Sequence, residues 1–443
     1  MTDGQREGTG TGTGTGTGQG FGRRTVGPVA AGWLLTRAVL LLCVFGVVTV
    51  PGPDVTSDVS VIYRGWYEVL RTGAFPLSDV TWQYPPAAAL AILSPAVLPF
   101  LDYATAFFVL ALLCDAVVLV LLLGAARRAG RSVRGVWVWV AGVPLLGPTA
   151  YARYDLMVTA VAVAALLAGV RRPRLMGALV ALGALVKVWP VLLLTGVDRA
   201  RVWWAAAVTA AAVLVASLAV PGAFGFLGHQ RDRGTEVESL GALVFHVWRL
   251  LGDWDGQVLL NYGSLEFLGP YVPLVSRAAL VLAAAALAWL VLWRLRAAAA
   301  GAPGPEGAGP GVVADAAFTA VLLFTVTSRV ISPQYLLWLV GLAAVCLLHR
   351  PARMALPAVL VLVATAVTVV EFPLLFDQVV TSRPAGVALI LVRNALLVAA
   401  ALTACRGLWR AVAGGGPRPV DAGPYPVAGS TPAGPADSRA SAR

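Results

Sequence analysis

Apolar runs of membrane-spanning length, with arginines at their ends, follow one another through most of this chain, and Val29–Val50 is the first. A helix needs about 20 apolar residues to cross the hydrocarbon core of a bilayer. Hydrophobic residues make up 58% of the 443 positions, against about 45–50% in an ordinary globular domain. The expected fold class is an all-α polytopic membrane protein. In a soluble protein the net charge of +11 would suggest nucleic acid. Here the basic residues flank apolar runs, as cytoplasmic loops do under the positive-inside rule, so the expected partner is the lipid bilayer and no nucleic acid.

Keeping the basic clusters on the cytoplasmic side threads the chain without contradiction. These clusters are Arg127 to Arg134, Arg171 to Arg174, Arg199 and Arg201, Arg294 and Arg296, His349 to Arg353, and Arg406 and Arg410. Further spans then fall at Tyr103–Gly124, Val136–Ala150, Leu156–Val170, Val202–Val220, Val272–Trp293, Val312–Thr327, Pro333–Leu348, Met354–Val370 and Ala385–Cys405. About 11 transmembrane helices are expected, plus partial or re-entrant segments and interfacial helices in the outer loops. Ala87–Leu101, interrupted by Pro95 and Pro99, and Leu175–Val197, interrupted by Lys187 and Pro190, fit only as hairpins or broken spans. Broken helices are tolerated at membrane depth where they line a protein cavity. The Gly/Thr-rich residues 1–24 and the Pro/Gly/Ala-rich residues 411–443 are expected to be disordered cytoplasmic tails around a domain over 25–410, with a cytoplasmic linker at 300–311. Arg23 and Arg24 before an apolar run could mark a signal peptide, but the run is long and no small-residue cleavage site follows. The four cysteines fall within predicted spans and show no metal-ligand spacing, so no metal or other cofactor is expected.

The polar interruptions concentrate on the opposite, outer side. The first outer loop, residues 51–86, holds Asp54, Asp58, Glu68 and Asp79 in a chain with only 12% charged residues. Val59, Ile62, Trp66, Val69 and Leu70 recur at helical spacing and predict a helix in the membrane interface. Gly73 and Pro76 end it, and Tyr84-Pro85-Pro86 starts the next segment in extended form. Asp58 opens that helix, where it is either an N-cap or a general base; Asp54 and Asp79 are its competitors. Asp155, beside Arg153, likewise begins a helix and is read as a cap. Lys187 sits in a hydrophobic segment, where a charge costs at least about 2.5 kcal/mol, and is read as a phosphate ligand in preference to a snorkelling side chain.

The long outer loop 221–271 carries Arg231, Glu236 and Glu238 before an amphipathic stretch from Val237 to Leu251. Most of this charge run reads equally well as a solvated face. Asp253-Trp254-Asp255 has the form that holds a metal–nucleotide sugar in soluble transferases, a weak signal on a face without nucleotide sugars. Arg329 at the outer end of a span, followed by Gln334 and Tyr335, points to an anionic ligand.

The order of these motifs resembles glycosyltransferase family 87. It is carried by Asp58, Tyr63, Gly73, Pro76, Tyr84-Pro85-Pro86, Arg153-Tyr154-Asp155, Lys187-Val188-Trp189-Pro190, Arg231 to Ser239, and Ser332-Pro333-Gln334-Tyr335. The resemblance runs from about Arg24 to Arg410. It implies a GT-C fold, a polyprenyl-phosphate-mannose donor, a glycolipid or glycan acceptor, no metal, and a catalytic base that carries onto Asp58. Gln83 stands where the family often has an acidic residue, and Trp189 where a tyrosine is common. The chemistry fits: Asp58 would take the acceptor proton, and Lys187, Arg231, Arg329 and Arg153 would bind the donor phosphate. Tyr63, Asp79, Tyr84, Asp155, Glu238, Gln334 and Tyr335 would line the substrate site. The alternative is a multi-span transporter or flippase for an anionic lipid or glycolipid, which should show internal repeats; the Tyr84-Pro85-Pro86 loop has no counterpart in the second half.

Overall fold

The computed structural model describes residues 23–413 apart from 78, 129, 232, 253 and 300–309. Most of the expected tails (1–22 and 414–443), nearly all of the 300–311 linker, and Asp253 of the Asp-Trp-Asp pattern lie outside the described residues; residues 23–24 and 411–413, expected in the tails, are instead helical. The first half holds α1 (Arg23–Val44), a π-helical turn (Asp58–Tyr63) running into α2 (Arg64–Leu70), α3 (Ala88–Leu93), α4 (Tyr103–Ala126), α5 (Arg134–Gly142), α6 (Asp155–Gly169), α7 (Pro173–Val186) and α8 (Ala200–Leu218). The long loop contributes α9 (Phe226–Arg231) and α10 (Ala242–Leu251), with strands β1 (Thr235–Glu236), β2 (Gln257–Asn261) and β3 (Ser264–Leu268). Then come α11 (Val272–Ala299), α12 (Pro310–Thr327), α13 (Tyr335–Cys346), α14 (Ala355–Val369), α15 (Phe376–Val380) and α16 (Pro384–Ala413).

The protein is an all-α polytopic membrane protein. Among the described residues, six helices are long and apolar enough to cross a membrane: Val26–Val44, Tyr103–Ala126, Ala200–Leu218, Val272–Ala299, Ala355–Leu374 and Pro384–Val412. The other expected spans are shorter apolar helices packed among them. In α13 every residue from Leu336 to Cys346 is buried. A helix sheathed in protein need not match the bilayer thickness, so its length is set by packing.

Three sequence boundaries are corrected. The first span ends at Val44, not Val50, because Gly46 turns the chain at φ 71°. The span expected over Val136–Ala150 is broken: α5 gives way to a 3₁₀ segment over Pro144–Ala150, kinked at Gly147 with φ 64°. The long loop, for which only helix was expected, also contains an antiparallel sheet in the order β1-β3-β2. Its β2–β3 turn, Tyr262-Gly263, has positive φ at both positions (47° and 77°), which matches the twist of a two-residue hairpin. The two segments predicted as broken are broken: α3 passes into a 3₁₀ turn over Ser94–Val97, and α7 ends at Lys187 in extended backbone before a 3₁₀ turn over Trp189–Leu194.

Small residues and buried ions hold the bundle. A Cβ on Gly177 would sit 2.1 Å from the Val202 carbonyl oxygen, so α7 and α8 approach as closely as a glycine allows. Arg37 of α1 and Asp115 of α4 are both buried and pair at 2.7 Å. Asp115 also accepts from Trp33, Trp139 and Tyr151, while Arg37 donates to the carbonyls of Trp139 and Val140. Charges at membrane depth are tolerated when satisfied in this way.

Candidate active site

One end of the bundle gathers the first loop, the start of α6, the end of α7, the long loop and the start of α13. The π-helical turn and α2 bury Val59, Tyr63, Trp66 and Leu70 on one face. Tyr63 thus belongs to the buried face, whereas Val69 is exposed. Asp58 is not a cap, since Ser57 occupies that position without a side-chain hydrogen bond. Instead its Oδ2 lies 2.9 Å from Nη2 of Arg153, and the Asp58 side chain keeps 31% of its surface open. Arg153 is nearly buried and is aimed by bonds from Nη1 to the carbonyls of Val55 and Ala152. The other first-loop carboxylates hold turns. Asp54 accepts from the Thr56 amide and hydroxyl. Asp79 accepts from Trp66 Nε1 at 2.7 Å and from the Thr81 amide and hydroxyl.

Behind Asp58 lies a second pair. Lys187 Nζ is 2.7 Å from Asp155 Oδ1, which also accepts from Trp338 Nε1 at 2.7 Å. The cap expected at Asp155 is therefore corrected: Tyr154 precedes the helix and makes no side-chain cap, and the buried carboxylate is drawn inward to a buried cation. The ammonium faces the rings of Tyr84, Tyr154, Tyr335 and Trp338 at 5.5, 5.0, 5.7 and 5.2 Å. Cation–π attraction offsets part of its desolvation. Tyr335 stacks on Trp338 at 3.9 Å, and Trp189 stacks on Trp338 at 5.2 Å. Tyr84 meets Tyr154 edge-on at 5.3 Å, and Tyr63 lies 5.7 Å from Tyr154. Burial pushes the Tyr84 hydroxyl up to about 12, with Asp155 and Asp58 adding to it, so it is a neutral donor at physiological pH. The Tyr154 hydroxyl, Asp155 Oδ2 and Trp189 Nε1 are buried without a hydrogen-bond partner among the described residues. Such groups favour a polar ligand.

The long loop closes the far side. Arg233 pairs with Glu266 at 3.3 Å, donates to Ser264 Oγ at 2.7 Å, and lies within electrostatic reach of Tyr84, Lys187 and Tyr335. Arg329 donates to the Arg233 carbonyl at 2.8 Å, and its own carbonyl accepts from the Glu236 amide. Glu236 accepts from the Ile331 amide at 2.6 Å and the Ser332 hydroxyl at 3.0 Å. Burial, reinforced by Glu238, pushes Glu236 up to about 8. The hairpin tip returns to the first loop, where Gln83 Nε2 donates to the Tyr262 carbonyl at 2.6 Å. Gln83 thus performs a docking role that an acidic residue, with no N–H to donate, would not.

Asp58, Arg153, Tyr63, Tyr84, Asp155, Lys187 and Tyr335 are brought together, with Arg329 beside Arg233. Glu238 is turned elsewhere, into a buried cluster where Arg393 lies 3.2 Å from its carboxylate and 2.9 Å from Glu371, and also holds its carbonyl. Gln334 precedes α13, half-buried. Arg231 ends α9, and its side chain lies outside the described residues. Sequence reasoning missed Arg233, Glu266 and Trp338. Arg233 was visible only as one of several charges in a run, and the tryptophan has no polar neighbour in sequence.

Along the π-helical turn and α2, Val61, Ile62, Trp66, Val69, Phe75 and Leu77, with Asp79 and Thr81, line a mostly apolar groove of ≈ 590 Å³. Residues 82–304, about half of the chain, match the family model described as glycosyltransferase family 87. The match takes in Tyr84, Arg153, Asp155, Lys187 and Arg233, and begins after Asp58. No curated protein and no solved structure matches the chain.

Proposed function

The chain belongs to glycosyltransferase family 87, and on that premise we propose that it transfers a hexose, mannose in the first instance, from a polyprenyl-phosphate donor to a glycolipid or glycan acceptor on the extracytoplasmic face. Asp58 is the general base. It removes the acceptor hydroxyl proton as that oxygen bonds to the sugar's anomeric carbon, and the phosphate departs with the bonding electrons. Arg233, Arg329 and Lys187 stabilise the negative charge on the leaving phosphate, a role best filled by preorganised cations in a water-poor site. Arg153 orients Asp58 and shares its charge. The groove beside α2 suits an apolar chain, which supports a lipid-borne donor.

One observation carries the assignment of the base. Asp155, Glu236, Glu266 and Asp79 are each committed to two or more donors, and Asp54 is folded onto Thr56. Glu68 is also open, but it pairs with Arg71 at 3.4 Å with both side chains more than half exposed. Asp58 combines an open side with a nearly buried arginine partner next to the Lys187 site, so it is the carboxylate placed to serve an acceptor hydroxyl there. The test supplies polyprenyl-phosphate [¹⁴C]mannose to membranes with and without the chain. The expected result is a labelled glycolipid or glycan only where the chain is present. Movement of the labelled lipid between leaflets without a new glycosidic bond would instead favour the flippase alternative.

A further inference from the structure

The opposite end of the bundle carries a second feature that the transfer reaction does not use. Arg393 of α16 marks the level of the long loop through its contacts with Glu238. Arg406 lies about 20 Å further along the helix at 1.5 Å per residue. There, α11 and α16 are held together by Trp293, which donates to the Leu408 carbonyl at 3.2 Å. Between them opens a groove of ≈ 260 Å³ lined by Trp289, Cys405, Arg406, Trp409 and Arg410.

Its chemistry is selective. The Trp289 and Trp409 rings lie 6.1 Å apart, and the Arg296 guanidinium covers Trp409 at 4.8 Å. Arg406 and Arg410, one helical turn apart on one face, are exposed, as is Arg296. Among the described residues no carboxylate pairs with any of the three. By contrast, Arg294 and Arg353 nearby have found Asp198 and Asp315. The surface leading away from the groove is apolar and open: Leu402 is 65% exposed one turn before Arg406, and Leu287, Val291, Leu292 and Leu295 are exposed on α11. A ligand seated here meets three cations that no carboxylate among the described residues pairs with, and an aromatic floor, with a bare hydrocarbon track alongside. Basic pockets between helix ends at a membrane surface hold anionic headgroups in this way, and tryptophans favour the same depth.

We infer that the α11–α16 groove is a binding site for an anionic phospholipid of the bilayer, its phosphate on Arg406, Arg410 and Arg296 and its acyl chains along Leu402 and the exposed face of α11. The groove is too small for a whole lipid, which fits a headgroup held while the tails stay in the membrane. This inference is independent of the donor and acceptor proposed above.

The test uses the full chain in nanodiscs of phosphatidylcholine containing phosphatidylglycerol, released and weighed by native mass spectrometry. The wild-type chain is expected to retain phosphatidylglycerol and not phosphatidylcholine. R406Q/R410Q should retain about tenfold less or lower still, while R171Q/R172Q, which removes the same charge from another helix end, should retain as much as wild type. Trp409→Ala, which keeps every charge, supplies the second variant and should also lose the adduct. Equal retention by R406Q/R410Q and wild type, or equal loss in R171Q/R172Q, would overturn the site. So would equal retention of the two phospholipids. Displacement of the adduct by millimolar inorganic phosphate would overturn the lipid source in favour of a soluble phosphate.

Discussion

Lys187 Nζ meets Asp155 Oδ1 at 2.7 Å with both side chains almost wholly buried, so neither can be removed alone without stranding a charge. Breaking a buried pair from one side costs about 3–5 kcal/mol. Lys187→Met is therefore expected to lower the unfolding temperature sharply in detergent. The double change K187M/D155N should recover much of that loss, because the side-chain amide oxygen it places at position 155 can still accept from Trp338. A single variant as stable as wild type would show that the pair contributes nothing to the fold.

Arg233 is expected to act on the donor. Its guanidinium is anchored by Glu266 and Ser264 and lies within electrostatic reach of Lys187, Tyr84 and Tyr335. Removing a charged hydrogen bond to phosphate costs about 1.5–3 kcal/mol, or roughly 10- to 150-fold. Arg233→Gln should raise the KM for polyprenyl-phosphate sugar by about that factor with the acceptor KM unchanged. An unmoved donor KM with a lowered unfolding temperature would reduce Arg233 to a strut for the hairpin.

The pH dependence of stability should carry the signature of Glu236. Burial first, then repulsion by Glu238, raises its pKa from 4.5 to about 8, against the lowering effect of Arg233 and its bonds from Ser332 and Ile331. Between those values the folded chain holds a proton that the unfolded chain has released. Stability is therefore present below about pH 4.5 and is lost as pH rises towards 8, at up to about 1.4 kcal/mol per pH unit. Subtracting the unfolding-temperature profile of Glu236→Gln from that of wild type, over pH 5 to 8, should leave a falling line. A flat difference would mean that Glu236 is ionised in the folded protein.

Chelation is expected to leave transfer intact. Among the described residues no three of His, Cys, Asp and Glu converge as metal ligands, and arginine and lysine supply the positive charge at the site. Full activity in EDTA is the expected result; activity lost to EDTA and restored by Mg²⁺ or Mn²⁺ would contradict it.

Much of this molecule could be read from its residues because membrane burial is so demanding. Proline at 95, 99 and 190 and a lysine at 187 leave few ways to cross a bilayer, and the broken segments appear where they were expected. Asp58, Arg153 and Lys187 stood out because charge is rare in this chain. The same rarity misled at Asp155: a carboxylate at a helix start reads as a cap, and its partners Lys187 and Trp338 arrive from 32 and 183 positions away. Arg37 and Asp115 sit inside predicted spans and pair only in three dimensions. The β2–β3 hairpin rests on a Tyr-Gly turn in which the tyrosine takes the unusual positive φ, and side-chain periodicity carries no trace of that. Glu238 sits in the same charge run as Glu236, yet it turns to Arg393 on the last helix, a choice that only the packing of α16 decides.

The central claim is that Asp58 removes the acceptor proton, and the most direct measurement is turnover of Asp58→Asn with polyprenyl-phosphate mannose and native membrane acceptor. Asparagine keeps the size and a hydrogen-bonding oxygen for Arg153 but cannot take a proton. Turnover should fall by about 10²–10⁴-fold while the protein still inserts and still binds donor lipid, and Asp54→Asn, altered at a turn, should stay near wild type. An Asp58→Asn protein that turns over at the wild-type rate would contradict the mechanism, and an inactive Asp54→Asn beside it would move the base to Asp54.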